Sequence, residues 1–332
     1  MNYIGSKLKL CQEFLPSTIK SVCGKNLSQK VFCDMFAGTG IVGRTFKTSV
    51  KQVIANDVEY YSYVLNKNYI ENHLEIKNKE NYIFELNNLP LESNGFIYKN
   101  YCLGGNGERQ YFSDENGKKI DAIRKHIEEL KNEGRISNNL YYFLLCSLLE
   151  SADKVANTAS VYGAYLKNLK KSAQKKIFVE PAEYELNANE HKVYNKDANV
   201  LIQEISGDIL YLDPPYNARQ YGANYHMLNT IAEYKEFIPS GKTGLRKYSR
   251  SKYCSALTVK EEFENLIKNA QFKYIFLSYN NEGLMSVEDV KNIMSKYGHY
   301  DLVQTNYQRF KADSNRFNKT DSTVEYLHIL EK

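Results

Sequence analysis

The stretch from Lys30 to Asp57 leaves this chain few folds to choose from. An apolar run, Lys30 to Phe36 (KVFCDMF), breaks into the turn Ala37-Gly38-Thr39-Gly40. A helical stretch, Ile41 to Lys47, leads on to a second apolar run, Gln52 to Ala55, that ends at Asn56-Asp57. Short apolar runs bounded by turn residues and separated by one amphipathic segment form a strand-helix-strand unit. Further strand candidates are Asp208 to Leu212, Tyr274 to Ser278, Asp301 to Gln308 and Thr323 to Leu330, with helix-like stretches between several of them. This alternation predicts an α/β fold with a mostly parallel sheet flanked by helices, the last two strands forming an antiparallel pair.

The pattern changes between Tyr60 and Tyr194. Amphipathic helices dominate there, notably Ile120 to Leu130 and Leu140 to Glu150, with a glycine-rich turn at Gly104 to Gly107. The expected organisation is a core of residues 1–59 and 195–332 interrupted by an inserted lobe, 60–194, which suits a length of 332 residues. A hydrophobic share of 42% with 25% charged residues excludes a disordered or fibrous chain. No apolar run reaches membrane-spanning length and none resembles a signal sequence, so the expected location is the cytoplasm. The net charge of +5 permits nucleic-acid binding without demonstrating it. Cys11, Cys23, Cys33, Cys102, Cys146 and Cys254 form no Cys-x-x-Cys pair and the six histidines complete no ligand spacing, so no metal is expected.

Two motifs carry chemistry. The first is Asp34-Met35-Phe36-Ala37-Gly38-Thr39-Gly40 at the strand-to-helix turn. Its glycines let backbone approach a ligand closely, and Asp57, at the end of the next strand, can accept hydrogen bonds from a ribose diol. A nucleoside-containing cofactor is implied. Gly38, Gly40 and Gly43 also satisfy the G-x-G-x-x-G spacing of nicotinamide dinucleotide sites, so that reading and a chance glycine turn both stay open on this motif alone.

The second motif, Asp213-Pro214-Pro215-Tyr216, directly follows the apolar run Asp208 to Leu212. Consecutive prolines end a strand and fix an extended turn, so flanking side chains and carbonyls project rigidly at the carboxyl edge of the sheet. Such a turn suits methylation of an exocyclic amine, the bland alternative being a turn that merely ends the strand. The lone pair of adenine N6 is delocalised into the ring; a carboxylate from Asp213 and the carbonyl of Pro214 can accept its two hydrogens and draw the nitrogen toward a nucleophilic state, with Tyr216 stacked on the base. No Pro-Cys pair exists to attack a pyrimidine ring, which excludes cytosine-C5 chemistry.

On these motifs and their order the chain resembles the adenine-N6 DNA methyltransferases of the D12 or α group, the Dam-like and FokI-type modification methylases. The resemblance implies a Rossmann-like methyltransferase core, with S-adenosylmethionine as methyl donor and S-adenosylhomocysteine as product. Tyr3-Ile4-Gly5-Ser6-Lys7 is similar to the family's motif X, which implies that Lys7 pairs with the cofactor carboxylate and Tyr3 packs nearby. Asp34, Phe36, Ala37, Gly38 and Gly40 match motif I, Asp57 the acidic ribose position, and Asp213 both cofactor and catalytic roles. Asp197 matches the short acidic motif that contacts the cofactor adenine, although an N-cap ahead of Ala198 to Ile202 serves its residue type equally well. Tyr225 to Thr230 is similar to a motif V helix, with His226 readable as a packing residue.

In this group the long insertion before the catalytic motif carries target recognition. Within it Asn106, Arg109 and Gln110 offer the bidentate donors that base edges match. Lys242, Arg246, Lys247, Arg250 and Lys252, in the loop Gly241 to Lys252, can neutralise phosphates, and Arg219 can guard the gap left by an extruded base. The implied partner is double-stranded DNA, bound by a monomer away from any membrane, and the resemblance allows for a cognate restriction endonuclease acting separately. Methylation of RNA or of cytosine N4, and a catalytically inactive DNA-binding relative, are the competing readings.

Overall fold

The computed structural model describes residues 7–308 and 322–332. The chain divides into two compact units. One is a sheet unit of residues 7–58, 187–220 and 250 onward; the other, a helical unit, comprises Glu59–Leu186 and Tyr221–Ser249.

Seven strands build the sheet unit: β1 (Val31–Asp34), β2 (Gln52–Asn56), β3 (Lys192–Tyr194), β4 (Ser206–Leu212), β5 (Gln271–Asn280), β6 (His299–Gln308) and β7 (Ser322–Glu331). Their order is β3-β2-β1-β4-β5-β7-β6. All run parallel except β7, which is antiparallel to both β5 and β6. The expected Rossmann-like α/β class therefore holds, with its antiparallel C-terminal strand.

β1 lies between β2 and β4, with Phe32 opposite Val53 and Ile209, and Cys33 opposite Ile54 and Leu210. Strands covered on both faces read as continuous apolar runs, because alternate side chains enter opposite cores. On one face Phe32 stacks on Phe46 of the helix Ile41–Lys47, ring centroids 4.5 Å apart. On the other, Cys33, Leu210, Leu212, Ile275 and Leu277 join Phe263, Leu266 and Val290 from the helices Val259–Asn269 and Val287–Met294 in one buried cluster.

The short edge strand β3 had no recognisable signal, since its three residues alternate little and only pairing with β2 makes them a strand. It places residues 192–194 in the sheet unit, whereas the sequence boundaries assigned them to the insertion. Residues 221–249 depart the opposite way: they belong with the helices, although the sequence boundaries placed them in the core.

The helical unit is organised by Asp114–Asn132 and Asn138–Lys154, N-capped by Ser113 and Ser137. These enclose the expected helical stretches at 120–130 and 140–150. Two buried charges on the first helix secure two other helix ends. Asp121 accepts the N–H groups of Ile97 and Tyr98 at 2.9 and 2.8 Å, satisfying the first turn of Phe96–Tyr101. Arg124 donates to the carbonyls of Ile231 and Ala232, both at 3.0 Å, near the end of His226–Glu233. Helix ends carry unpaired backbone groups of the opposite partial charge, so each buried charge is compensated. Gly95 has no room for a side chain, because a Cβ there would lie 2.0 Å from Asp121. Among the described residues no helix is long and apolar enough to cross a membrane.

In the sheet unit Asn56 is buried at the end of β2. Its amide donates to the carbonyls of Met35 and Lys196 at 3.2 and 3.1 Å and accepts the Lys196 N–H at 3.0 Å. It thus ties the turn after β1 to the segment after β3. Asn56→Ala leaves those groups without partners and is predicted to destabilise the protein by about 2–3 kcal/mol, read as a lowered urea midpoint at unchanged slope.

Candidate active site

Pairing of β1 with β4 puts both motifs at neighbouring carboxyl ends of the sheet. Asp34 stands opposite Tyr211, and the Met35 N–H donates to the Tyr211 carbonyl at 3.1 Å, so the two strands stay together up to the turns. Beyond Met35 the chain bends sharply. The Ala37 N–H reaches the Asn56 carbonyl at 2.9 Å, and Gly38 and Gly40 adopt φ of 53° and 77°. That left-handed backbone is strained for a residue with a Cβ, which is why glycines occupy it. Asp57 accepts the Gly38 N–H at 2.8 Å and so fixes the turn from the adjacent strand end.

Asp34 accepts the Gly43 N–H at 3.0 Å through one carboxyl oxygen, while its other oxygen is buried without a partner among the described residues. Burial pushes this carboxyl up to about 8, against the Gly43 hydrogen bond and with help from Asp213 and Asp57.

Asp213 follows β4, with Pro214 buried behind it and Pro215 and Tyr216 half-buried. Oδ1 of Asp213 lies 3.0 Å from Nζ of Lys7, and the same ammonium lies 3.1 Å from Oε1 of Glu325 on β7. Lys7 and Glu325 are only 6% and 4% exposed and the Asp213 side chain 18%, so one buried cation stands between a half-buried carboxylate and a buried one, the latter at ion-pair distance without hydrogen-bond geometry. Burial raises Asp213 to about 6, opposed by Lys7 and reinforced by Glu325. For Lys7, burial works to lower its pKa, but Asp213 and Glu325 outweigh it and hold the lysine well above its ordinary value.

Tyr216 meets Tyr279 edge-on with centroids 6.5 Å apart, its carbonyl accepts the Leu284 N–H at 3.1 Å, and Lys7 Nζ lies 5.9 Å from its ring. Phe36 packs edge-on against Tyr253 at 5.1 Å. Asp197 is the N-cap of Ala198–Leu201, accepting the N–H groups of Asn199 and Val200 at 2.9 and 3.3 Å, which is the capping alternative. Tyr3 lies outside the described residues.

The sheet edge therefore brings together Lys7, Asp34, Phe36, Ala37, Gly38, Gly40, Asp57 and Asp213–Tyr216. Glu325 escaped the sequence reading. Its signal was an acidic residue two and four positions before the apolar Leu327 and Ile329, on the same side of the strand.

The basic candidates separate into two kinds. Arg109 donates to the carbonyls of Asn100, Gly241 and Lys242 at 3.0, 3.0 and 3.1 Å, so its guanidinium braces the 241–242 turn rather than presenting donors to a base edge. Arg246 pairs with Glu233 at 2.8 Å and Lys252 with Glu262 at 2.6 Å. Asn106, Arg219, Lys242, Lys247 and Arg250 are exposed, and Gln110 is half-buried. His226 is core: its Nε2 lies 2.9 Å from the Tyr162 carbonyl, and burial lowers it to about 4.

This architecture and edge chemistry are those of an amino-methyltransferase, and sequence comparison gives the family. The D12 class of N6 adenine-specific DNA methyltransferases matches residues 3–293, and the chain belongs to that family. Type II methyltransferase M.NlaIII of Neisseria lactamica is 66% identical to it, covering 100% of this chain and 99% of that protein. M.CviAII of Paramecium bursaria Chlorella virus 1 is 39% identical over 94% of this chain and 93% of that protein. M.FokI of Planomicrobium okeanokoites is 37% identical, with 100% of this chain matched to 53% of that longer protein. The protein is thus a site-specific DNA methyltransferase acting on adenine N6, with S-adenosylmethionine as cofactor.

The raised carboxyls set a pH dependence of stability. Asp34, ordinarily 3.8, keeps its proton in the folded state up to about 8, so its contribution is fully present below about pH 4 and is lost as pH rises toward 8. Asp213 acts in the same direction up to about 6. Denaturant unfolding of the cofactor-free protein is predicted to show falling stability between about pH 6.5 and pH 8, above the range in which the buried His226 and His328, both lowered to about 4, act in the opposite direction, and a shallower fall in Asp34→Asn.

Proposed function

We propose that the Asp213–Tyr216 turn holds the target adenine, with the Asp213 carboxylate and the Pro214 carbonyl accepting the two N6 hydrogens and Tyr216 stacking on the ring. The observation that carries this reading is a carboxylate at the end of β4 whose Oδ1 is held by Lys7 and whose side chain stays 18% exposed. Hydrogen-bond acceptors fixed where positive charge develops stabilise the transition state without reorganising. S-adenosylmethionine supplies a methyl group on a sulfonium, so that the N6–C bond forms as the C–S bond breaks and its electron pair passes to sulfur.

The neighbouring turn suits that cofactor. The left-handed glycines at 38 and 40 carry no Cβ to hold a ligand off the backbone, Asp57 stands at the ribose position, and the Asp34 carboxyl oxygen that has no partner among the described residues can hydrogen-bond a cofactor or water. Phe36 and Ala37 complete the cradle with Tyr3, outside the described residues, from the N-terminal segment; the Lys7 ammonium, expected on the cofactor carboxylate, is instead taken up by Asp213 and Glu325. Asp197 acts here through the helix it caps.

The target base reaches a site of this kind by swinging out of the duplex, because N6 is engaged in pairing within it. The helical unit reads the target sequence, with Asn106 and Gln110 as base-edge candidates and Arg219, Lys242, Lys247 and Arg250 as phosphate or gap-filling contacts. The protein works in the cytoplasm as a monomer, beside a separately acting restriction endonuclease, the setting that the type II designations of its relatives suggest.

Two experiments bear on this. Asp213→Ala is predicted to lower methyl transfer about 10²–10⁴-fold in a single-turnover assay at saturating cofactor; full transfer by the variant would refute the mechanism. Replacing Lys242, Lys247 and Arg250 with alanine is predicted to weaken binding to all duplexes and to flatten the salt dependence, measured by fluorescence anisotropy. The log–log slope should fall by about 0.9 for each phosphate that is no longer neutralised. An unchanged slope would place the DNA elsewhere.

A further inference from the structure

Glu325 stands on β7, opposite Asn280 of β5 and Thr305 of β6, beyond the span of the family match. A carboxylate at 4% exposure is costly unless a cation compensates it, and its cation is Lys7, which Asp213 also holds. A buried lysine paired to one aspartate alone would be neutral and adequate for stability. The second carboxylate leaves the cluster with one net negative charge, an arrangement that burial disfavours and that therefore calls for a functional explanation.

We propose that Glu325 is a positioning residue of the methyl-transfer site, sharing the Lys7 ammonium so that Lys7 orients Asp213 through Oδ1 without cancelling the basicity its other oxygen offers to adenine N6. This rests on the reading of Asp213 as the acceptor of an N6 hydrogen. Methyl transfer leaves N6 with a positive charge and one proton too many, and that proton departs along the hydrogen bond to Asp213 and on to water. An aspartate locked into a one-to-one pair with Lys7 is a poorer acceptor at that moment; one that holds half of an ammonium is a better one.

The ionisable groups around Asp213 come from five places in the chain. Lys7 precedes the first helix and Cys11 lies within it; Asp34 ends β1, Tyr211 lies on β4, and Glu325 comes from β7. Burial raises the Cys11 and Tyr211 side chains, so both are uncharged at neutral pH, and Asp34 is largely protonated there. Lys7 and Glu325 are thus the charges that set Asp213, the first lowering its pKa and the second raising it.

Opposite shifts follow for the two partners. In Glu325→Gln the Lys7 ammonium falls to Asp213 alone, so the acid limb of the kcat–pH profile moves to lower pH by about one unit, the effect of one nearby charge, and the plateau kcat falls. In Lys7→Gln the limb moves up, because two buried carboxylates then face each other without a cation. Single-turnover methylation of duplex DNA between about pH 5 and 9, with cofactor affinity by calorimetry, makes the measurement. A lowered limb in Glu325→Gln at unchanged cofactor affinity is the expected result. An unmoved limb, or a loss of cofactor affinity with an unmoved limb, overturns the proposal and leaves Asp213 catalytic if Asp213→Ala is inactive. Full activity of Asp213→Ala would instead remove the reading beneath it. Should Glu325→Gln not fold, the pair Lys7→Gln/Glu325→Gln carries the test: its limb must lie below that of Lys7→Gln alone, and coincidence of the two overturns the proposal.

Discussion

Parallel pairing of β1 with β4 is the constraint on which the site depends. The strands are far apart in sequence, yet their register places the glycine turn and the Asp213 turn at adjacent carboxyl ends. From β1 the chain proceeds outward through β2 to β3, then returns to lay β4 on the other side of β1. At such a reversal the connections leave in opposite directions and a crevice opens between them, which is where open α/β sheets bind ligands. The glycine turn on one strand and the Asp213 turn on its neighbour therefore need no further device to bring them together.

Around that edge the sheet unit buries more ionisable groups than stability alone explains. Asp34 accommodates burial by keeping its proton, Asp213 and Glu325 by sharing Lys7. These are different solutions to the same desolvation cost. The helical unit solves it a third way, with Asp121 and Arg124 each placed against backbone groups at helix ends. In that unit these two buried charges have helix ends as partners and are accounted for by the fold. At the sheet edge one oxygen of Asp34 has no partner among the described residues, and the ion cluster carries excess negative charge. The carboxyl edge of the sheet thus carries charge and hydrogen-bonding capacity that its own described residues leave uncompensated.

Much of this was legible in the amino-acid sequence because the informative signals are local. Buried parallel strands read as apolar runs, positive φ demands glycine, and consecutive prolines end a strand whatever surrounds them. The sheet class, both turns, Asp57 and the two long helices followed from such signals. What did not follow depends on pairing across the chain. β3 is a strand only because β2 lies beside it, and residues 221–249 join the helices through Arg124 and the hydrogen bonds of Asn229 with Glu59 and Tyr61, none of which leaves a local mark. Arg109 has the residue type of a base reader, but its neighbours make it a brace. Glu325 lies far along the chain from the aspartate it influences, and only the antiparallel insertion of β7 beside β5 brings it near.

The central claim is that the chain places its Asp-Pro-Pro-Tyr turn against adenine N6 in DNA. The most direct measurement is mass spectrometry of nucleosides from DNA and RNA treated with the purified protein and S-adenosylmethionine. N6-methyladenosine in the deoxyribose form, absent from RNA, is the predicted result; N4-methylcytosine, or methylated RNA with unmodified DNA, would contradict it.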